Sequence, residues 1–182
     1  EKIEDHYGDG SSMGLKISYK RQDQQLGTGH AVALVRDFTG DELFMLSWSD
    51  VIMDIENYGR LMEFHGKGGF EASITLNEVD DPWEGAAVYM NGDLVRDIIE
   101  KPPKGTSTTN YNNRGLFVLG PSIYPELAKL KNEKRGEYDL PDAVQNMVKL
   151  GFKIGGMPIT GLSSDVGTIQ AWRDYEEYLK TK

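Results

Sequence analysis

Short apolar runs typical of strands alternate along the chain with stretches whose apolar residues recur at helical spacing. This order constrains the fold strongly, because strands that alternate with helices favour a parallel sheet covered by helices. The predicted strands lie at 15–19, 43–46, 70–79, 115–119 and 152–159, and the predicted helices at 30–36, 54–65, 121–130, 141–150 and 168–179. We therefore expect an α/β fold with a mostly parallel, mixed sheet that is flanked by helices.

Two of these segments carry specific expectations about burial. The run 43–46 shows no polar alternation, which is expected of a strand buried on both faces. Asp54 is a suitable N-cap for the helix that follows it. The apolar face of that helix is predicted to contain Ile55, Tyr58, Leu61, Met62 and His65.

One antiparallel element is also predicted. Asn91-Gly92-Asp93 separates two apolar runs, 86–90 and 94–99. Asn-Gly between such runs is a strong hairpin signal, because a tight hairpin turn needs residues that tolerate positive φ. We expect this hairpin to be an excursion from the main sheet.

The first residues have the pattern of the last turns of a helix. Glu1 to Tyr7 are followed by Gly8 and Gly10, which are typical helix terminators. A chain that opens inside a helix, without methionine, is typical of a fragment. We expect one domain over residues 1–182 whose front, including one or more N-terminal strands, is missing.

The composition excludes several classes of function. A net charge of −9 argues against a general nucleic-acid binder, which normally has a basic face. The absence of cysteine excludes disulfides, thiol nucleophiles and cysteine zinc sites. His6, His30 and His65 are too widely spaced to favour a histidine metal cluster. No apolar run approaches the roughly 20 residues of a membrane span, and together these points favour the cytoplasm.

Two carboxylates, far apart in sequence, follow predicted strands. Asp50 comes after the run 43–46, and Asp165 precedes the last predicted helix. Ligands of open α/β sheets bind beyond the carboxyl ends of the strands, and Mg²⁺ usually takes one or two protein carboxylates. Asp50 taken alone is explained equally well as a turn or helix cap. A helix cap explains Gly167 and Thr168, but it does not explain Asp165.

A glycine-bearing loop, 22–29, precedes the first predicted helix. Glycines there let backbone N–H groups approach a ligand, and a helix N-terminus favours an anion or a carbonyl oxygen. The amide of Gln22 carries both a donor and an acceptor, which suits the edge of a nucleobase. A tight loop that leads into a helix explains the glycines without any ligand, and the glycines alone favour that explanation.

Polar residues also flank two further predicted strands. Glu100 and Lys101 follow an apolar run, and Pro102 prevents the strand from continuing. A carboxylate at such a position can accept hydrogen bonds from sugar hydroxyls, and a lysine can meet a phosphate. Asn113 precedes the strand at 115–119 and could bind a sugar hydroxyl. In isolation, a solvated strand end and a turn asparagine explain these residues as well.

Taken together, the order and spacing of these motifs resemble those of the sugar-1-phosphate nucleotidyltransferases, also called nucleotide-sugar pyrophosphorylases. The resemblance extends from Gln22 to Thr168, nearly the whole chain, and is specific at the level of the family. The matching elements are Gln22 with Leu26-Gly-Thr-Gly, an acidic residue after the hydrophobic strand, Glu100-Lys-Pro, Asn113-x-Gly-Leu-Phe, Glu137-Tyr-Asp-Leu-Pro-Asp and Asp165-Val-Gly-Thr. The resemblance implies a Rossmann-like fold and transfer of a nucleotidyl group from a nucleoside triphosphate to a sugar 1-phosphate, with release of pyrophosphate.

The resemblance also implies roles for individual residues. The base would be contacted by Gln22, Gly27 and Thr28, and the sugar by Gly85, Glu100 and Asn113. Lys101 would hold the sugar phosphate, while Asp50 and Asp165 would bind Mg²⁺. The phosphate nucleophile is already anionic at neutral pH, so catalysis would consist of positioning and charge neutralisation.

Two features depart from the family pattern. Ser49 stands where a glycine usually precedes the first metal-binding aspartate, and a side chain there could crowd the nucleotide. The family's N-terminal strand and Gly-rich triphosphate loop have no counterpart in residues 1–182, so we expect this chain alone to turn over poorly. Both departures leave open a non-catalytic nucleotide-sugar-binding or regulatory subunit of the same fold. A glycosyltransferase is less favoured, because it would require Asp-x-Asp where the chain has Ser47-Trp-Ser-Asp50.

The resemblance does not identify the base or the sugar. On this basis alone we prefer a pyrimidine nucleotide and a hexose 1-phosphate. The sequence also leaves the oligomeric state open, a homo-oligomer included.

Overall fold

A computed structural model describes residues 2–131 and 136–181. The helices are α1 Lys2–Tyr7, α2 Thr28–Ala33, α3 Arg36–Thr39, α4 Glu56–Gly68, α5 Ile123–Leu127, α6 Leu140–Lys149 and α7 Ile169–Lys180, with a 3₁₀ turn at Ser11–Met13. The strands are β1 Phe44–Ser47, β2 Val51–Met53, β3 Ala72–Glu78, β4 Ala86–Asn91, β5 Leu94–Glu100, β6 Tyr111–Leu119, β7 Ile154–Pro158 and β8 Ser163–Asp165.

The strands form a mixed main sheet and a small second sheet. The main sheet has the order β1-β6-β3-β7-β5-β4, and β2 pairs with β8 in a separate two-stranded sheet. The predicted α/β class, a mixed sheet flanked by helices, is confirmed. The expectation of mostly parallel pairing is wrong: within the described residues, β3–β7 is the parallel pair and the other pairs are antiparallel.

The positions of β6 and of the β4–β5 hairpin explain this antiparallel pairing. Strand β6 lies between β1 and β3 and runs opposite to both. The β4–β5 hairpin joins the main sheet through β5 and β7, where Leu94 is opposite Gly155, instead of leaving the sheet as an excursion. The hairpin itself is confirmed, with Gly92 at φ +58° in its turn.

Strand β6 is buried on both faces and organises the core. Phe117 and Leu119 pack in one apolar cluster, whereas Leu116 and Val118 pack in another. Successive side chains of a strand point to opposite faces, so a strand covered on both sides needs a continuous apolar run such as this one. Full burial of a side chain such as Phe117 contributes about 1.5–3 kcal/mol.

Helices cover each side of the main sheet. Ala143, Val144 and Met147 of α6 are completely buried in the Phe117 cluster, at the spacing of one helical face. Pro141 lies in the first turn of α6, as predicted, where its missing N–H costs no hydrogen bond. On the other side, Leu61 of α4 packs in the Leu116 cluster.

The predicted strand at 15–19 is wrong, since this segment forms no strand. Its backbone instead folds back on the preceding turn: Leu15 N–H donates to Gly10 O at 3.0 Å, and Ile17 N–H donates to Asp9 O at 2.8 Å. The segment therefore has local hydrogen bonds and needs no partner strand. The side chain of Ile17 lies against Gly10, while Leu15 is exposed.

Strand β1 is less buried than its sequence indicated. It lies at an edge of the main sheet, pairs with β6, and has half-buried side chains at Phe44, Met45 and Leu46. Burial on both faces is therefore wrong for this strand. The predicted helix at 30–36 is also divided, since α2 ends within it at Ala33 and α3 begins at Arg36.

The apolar face of α4 differs from the prediction. Ile55 and Met62 are exposed, whereas Asn57 and His65 are buried together with Leu61. Each of the two buried polar side chains has a partner. The Asn57 amide donates to Thr160 O at 2.9 Å, and His65 Nδ1 lies 3.0 Å from Ser73 Oγ.

Asp54 does not cap α4 through its side chain, because Ile55 occupies the N-cap position. The Asp54 carboxylate instead accepts from Leu162 N–H at 3.0 Å. This bond joins the start of α4 to the segment before β8. The predicted cap of the last helix is confirmed, since Thr168 Oγ1 accepts from Ala171 N–H at 3.1 Å.

Candidate active site

The two candidate metal ligands lie on adjacent strands. Asp50 immediately precedes β2, and Asp165 is the last residue of β8. The two strands pair antiparallel, with Val51 opposite Asp165. Val166 N–H donates to Asp50 O at 2.7 Å and closes this end of the β2–β8 pair. Backbone hydrogen bonds therefore bring together two carboxylates that are distant in sequence.

The surroundings of Gly167 show how closely the side chains of Asp50 and Asp165 approach each other. A Cβ built on Gly167 would lie 3.1 Å from Asp165 Oδ1 and 3.1 Å from Asp50 Oδ2. These oxygens are therefore no farther apart than twice that distance. Gly167 N–H also donates to Asp165 Oδ1 at 2.9 Å and orients that carboxylate. Gly167 thus has a second reason to be glycine, beyond the helix that follows it.

This carboxylate pair has the donor set that Mg²⁺ prefers, with coordination positions left for water and phosphate oxygens. Both aspartates are exposed, so an ion can reach them. No group of three or more acidic or histidine side chains that could hold a metal occurs in residues 2–131 and 136–181. Such an open pair suits an ion shared with a phosphate substrate better than a closed structural metal site.

A cavity of about 550 Å³ lies beside the β2–β8 pair. It brings into one space most of the site residues that the sequence predicted, although Gln22, Gly27 and Asp50 do not line it. The predicted residues that line it are Thr28, Gly85, Glu100, Lys101, Asn113 and Asp165.

Lys101 has a strained backbone. Its φ is +47°, which among the described residues is otherwise seen at glycines. A conformation of this kind costs on the order of 1–3 kcal/mol and concentrates at functional sites. The Lys101 N–H donates to Gly85 O at 2.7 Å, which holds the residue in place beside the cavity.

Gly85 leaves room for the amide of Asn112. A Cβ on Gly85 would lie 2.3 Å from Asn112 Oδ1. The Asn112 amide nitrogen donates to Asn113 O at 3.1 Å, while Oδ1 is buried and has no partner within the described residues. A buried acceptor without a partner costs about 1–3 kcal/mol, so the fold holds the Asn112 amide in this place at some cost in stability.

Trp48 also lines the cavity. Its ring contacts Gly115, where an added Cβ would lie 2.3 Å from the ring, and it meets the Phe117 ring edge-on at 5.8 Å between centroids. The indole nitrogen is buried and has no partner in the described part of the chain. Trp48 therefore helps to form the wall of the cavity through the packing of its ring.

The loop 22–28 is fastened to the segment that leads into α6. Gly29 N–H donates to Tyr138 O at 2.7 Å, and Leu140 N–H donates to Thr28 Oγ1 at 2.9 Å. Gly27 has φ +96°, and a Cβ there would lie 2.7 Å from Tyr138 O. The glycine in this loop is therefore required both by its backbone conformation and by close packing.

Gln22 supports the same loop from inside. Its amide nitrogen donates to Gly27 O at 3.1 Å and lies 2.8 Å from His30 Nδ1. The structure thus uses the Gln22 donor within the loop. Contact of Gln22 with a base stays a prediction.

Comparison with known proteins places this arrangement in a family. A family model described as nucleotidyl transferase matches residues 1–182. The chain belongs to the nucleotidyl transferase family. Two similar curated proteins are the low-salt glycan biosynthesis nucleotidyltransferase Agl11 of Haloferax volcanii, 33% identical over 168 residues, and the glucose-1-phosphate thymidylyltransferase of Streptomyces griseus, 32% identical over 165 residues.

The chain spans less than half the length of those relatives. The match covers 92% of the chain and 46% of the Haloferax protein, and 89% of the chain and 45% of the Streptomyces protein. Among solved structures, UDP-glucose pyrophosphorylase complexed with UDP-glucose has a TM-score of 0.82 at 20% identity, covering 100% of this chain and 73% of that one. At that identity the structural likeness supports the fold alone.

Arg114 is a residue of the candidate site that the sequence did not single out. It is half-buried in β6 and lines the cavity, and its Nε donates to Ser163 Oγ on β8. Burial lowers the pKa of Arg114, while the negative charges of Asp165 and Asp50 act in the opposite direction. Its place between Asn113 and Gly115 was the available signal, because a charged side chain is unusual in a strand buried on both faces.

In the described residues, no helix has the length and apolar character needed to cross a bilayer.

Proposed function

We propose that the protein containing this chain transfers a nucleotidyl group from a nucleoside triphosphate to a sugar 1-phosphate and releases pyrophosphate. The observation that carries the proposal is the pairing of β2 with β8, which brings Asp50 and Asp165 together beside a cavity lined by Lys101. A metal-binding carboxylate pair next to a lysine suits chemistry between two phosphates.

Asp50 and Asp165 would hold Mg²⁺ in this proposal. When bound, the ion supplies Lewis-acid stabilisation of phosphate oxygens and helps to orient the two substrates. The Gly167 N–H bond keeps the Asp165 carboxylate turned toward its partner before any ion arrives. This preorganisation limits the rearrangement that binding requires.

The sugar 1-phosphate would bind in the part of the cavity formed by Gly85, Glu100, Lys101 and Asn113. Lys101 would hold the phosphate, and Glu100 would accept hydrogen bonds from sugar hydroxyls. Asn112 also lines the cavity, and amide side chains suit a hydroxyl-rich ligand because they can both donate to and accept from hydroxyls.

The nucleotide would bind along the loop that contains Gln22, Gly27 and Thr28. The loop precedes α2, and its fastening to Tyr138 holds its backbone in place. A pyrimidine base and a hexose are the proposed specificities. The thymidylyltransferase from Streptomyces, which is named for glucose 1-phosphate, supports this choice.

The chemical step needs no general base. An oxygen of the sugar 1-phosphate attacks the α-phosphorus of the triphosphate in line, a new P–O bond forms, and the bond to pyrophosphate breaks. Lys101 would position the attacking phosphate and offset its charge. The rate would then depend on alignment of the two substrates and on neutralisation of their charges.

Pyrophosphate release by the complete protein tests this proposal. Each of UTP, dTTP, CTP, ATP and GTP is combined with glucose, mannose or N-acetylglucosamine 1-phosphate, with Mg²⁺ or with EDTA. We expect release that requires both substrates and Mg²⁺, and that is fastest with a pyrimidine triphosphate. Binding of a nucleotide sugar without turnover in any combination would contradict the proposal and favour a regulatory subunit.

A further inference from the structure

The cavity is strongly acidic for a site that must take phosphates. Among the described residues, six carboxylate side chains line it, against two cations, Lys101 and Arg114. The carboxylates belong to Asp81, Glu84, Glu100, Glu137, Asp139 and Asp165. Two anionic substrates would be repelled from such a surface unless local cations offset the charge.

The metal and Lys101 would still leave the charge of the nucleotide phosphates without a cationic partner. A divalent ion at Asp50 and Asp165 would be offset by those two carboxylates themselves, and Lys101 is assigned to the sugar phosphate. The nucleotide phosphates that meet the metal would therefore need a further donor. Arg114 is the other cation of the described lining.

Arg114 is placed to be that donor. Within the described residues it makes one side-chain hydrogen bond, from Nε to Ser163 Oγ, and no ion pair. This single bond fixes the guanidinium plane against β8, and both Nη groups remain available. A guanidinium held in this way presents two parallel N–H donors, which match the oxygens of a phosphate.

The surrounding charge also favours this role. Asp165 and Asp50 are close enough to act on the charge of Arg114, but neither forms an ion pair with it. A metal bound to the two aspartates would reduce their negative field at Arg114. The guanidinium would then attract the phosphate bound to the same metal. The metal, the phosphate and Arg114 would therefore assemble together.

We propose that Arg114 is a catalytic residue that binds the nucleotide phosphate held by the metal at Asp50 and Asp165. The proposal rests on the proposed function for the identity of the substrate. It adds a guanidinium that contacts the phosphate undergoing attack, whereas Lys101 contacts the attacking phosphate.

The alternative role for Arg114 is structural, because its bond to Ser163 joins β6 to β8. Ser163→Ala removes this bond and keeps the guanidinium, and it therefore serves as the matched control. Arg114→Gln removes the charge but keeps a polar side chain, and Arg114→Lys keeps the charge but removes the paired donors. Thermal unfolding of each variant shows whether the fold is retained.

Steady-state kinetics of the complete protein with saturating Mg²⁺ test the proposal. We expect Arg114→Gln to lower kcat/KM for the triphosphate roughly 10- to 100-fold, which is the range for loss of hydrogen bonds to a charged group. Arg114→Lys should recover part of this loss, and Ser163→Ala, which keeps the charge but loses the bond that orients the guanidinium, should lose less activity than Arg114→Gln. An unchanged Arg114→Gln protein, or a Ser163→Ala protein as impaired as Arg114→Gln, would overturn the proposal.

Calorimetric binding of Mg²⁺–UTP separates this inference from the proposed function. If the unaltered protein binds Mg²⁺–UTP without turnover, and Arg114→Gln weakens binding about tenfold or more, the inference stands and the proposed function fails. If turnover occurs and Arg114→Gln changes neither kinetics nor binding, the proposed function stands and the inference fails. Absence of both turnover and binding in the unaltered protein rejects both.

Discussion

The main sheet and the β2–β8 pair are built on opposite principles. In β6, every side chain from Leu116 to Leu119 is buried, and helices cover both faces of the sheet. The β2–β8 pair instead carries its two carboxylates, Asp50 and Asp165, in solvent, and α7 that follows it contains no buried residue. The difference indicates that one region supplies stability and the other supplies the proposed chemistry.

The β2–β8 pair is nevertheless attached to the main sheet. Val51 and Met53 of β2 are buried in the same cluster as Leu116. A polar bond adds to this attachment, since Arg114 of β6 donates to Ser163 of β8. The inner face of the pair is thus fixed by packing, which leaves its outer carboxylates free to meet ligands.

The largest effect that tests this difference between the two regions is expected on the stability of the core. Phe117→Ala should lower the free energy of unfolding by about 3–5 kcal/mol, because it removes a buried aromatic ring and leaves a cavity. Urea denaturation measures this loss, and Phe38→Ala, at an exposed position, should stay within about 0.5 kcal/mol of the unaltered protein. A loss at Phe117 as small as that at Phe38 would contradict the assignment of stability to the main sheet.

The next test addresses the carboxylate pair. Asp165→Asn should lower the rate of pyrophosphate release roughly a hundredfold or more, because charge stabilisation by a catalytic metal accounts for several kcal/mol. Its thermal unfolding should hardly change, since the side chain is exposed.

Asp174→Asn is the control for charge, because Asp174 is an exposed aspartate of α7. It should leave both the rate and the stability unaltered. A large loss of stability in Asp165→Asn would show that the two regions are not separable. Full activity of the Asp165→Asn protein would contradict the assignment of Asp165 to the metal site.

A smaller effect is expected at the cap of α7. Thr168→Ala removes the side-chain acceptor for Ala171 N–H and should destabilise this helix by about 1 kcal/mol. Because α7 buries none of its residues, amide hydrogen exchange should quicken in its first turn while exchange in β6 stays unchanged. Thr168→Ser should restore protection. Faster exchange throughout the main sheet would show tighter coupling between the two regions than their packing indicates.

The smallest expected effect concerns the pH dependence of stability. Burial lowers the pKa of His65, although the nearby Glu71 acts in the opposite direction. The unfolded chain therefore takes up a proton at a pH where the folded protein does not. This stability is present above the ordinary histidine pKa, about 6.5, and is lost as the pH falls toward the folded pKa.

Urea midpoints at pH 7, 6 and 5 measure this effect. The unaltered protein should lose more stability over this range than His65→Gln, which has no titrating group at that position. Parallel curves for the two proteins would contradict the expected contribution of the buried histidine. This change in stability arises beside the main sheet and not at the β2–β8 pair. The rate of pyrophosphate release therefore serves as the comparison for the β2–β8 pair.

Local patterns in the sequence predicted some elements well. The Asn91-Gly92 hairpin and the Thr168 cap depend on the chemistry of a few adjacent residues, and both are present. The strand at 15–19 failed because alternation of apolar residues does not specify a pairing partner, and the segment bonds to Asp9 and Gly10 instead. Strand direction failed for the same reason, since the position of β6 between β1 and β3 is set by tertiary packing.

The candidate site shows a similar limit. The motif residues around Lys101, Asn113 and Asp165 could be selected from sequence because their types and spacing resemble a family, and they line one cavity. Trp48 and Arg114 were not singled out, because the hydrogen-bonding state of their donors is set only by the folded structure. Asp54 was misassigned as a cap, since its partner Leu162 is distant in sequence.

Glycines around the cavity limit how its substrate range could be redesigned. An added methyl group at Gly27, Gly85 or Gly115 would collide with Tyr138, Asn112 or Trp48, respectively. A mutant library that randomises the lining together with the residues packed behind it would therefore lose most members that alter these three positions. Exposed lining residues such as Glu84 tolerate replacement far better, so selection for a new sugar or base would proceed through them.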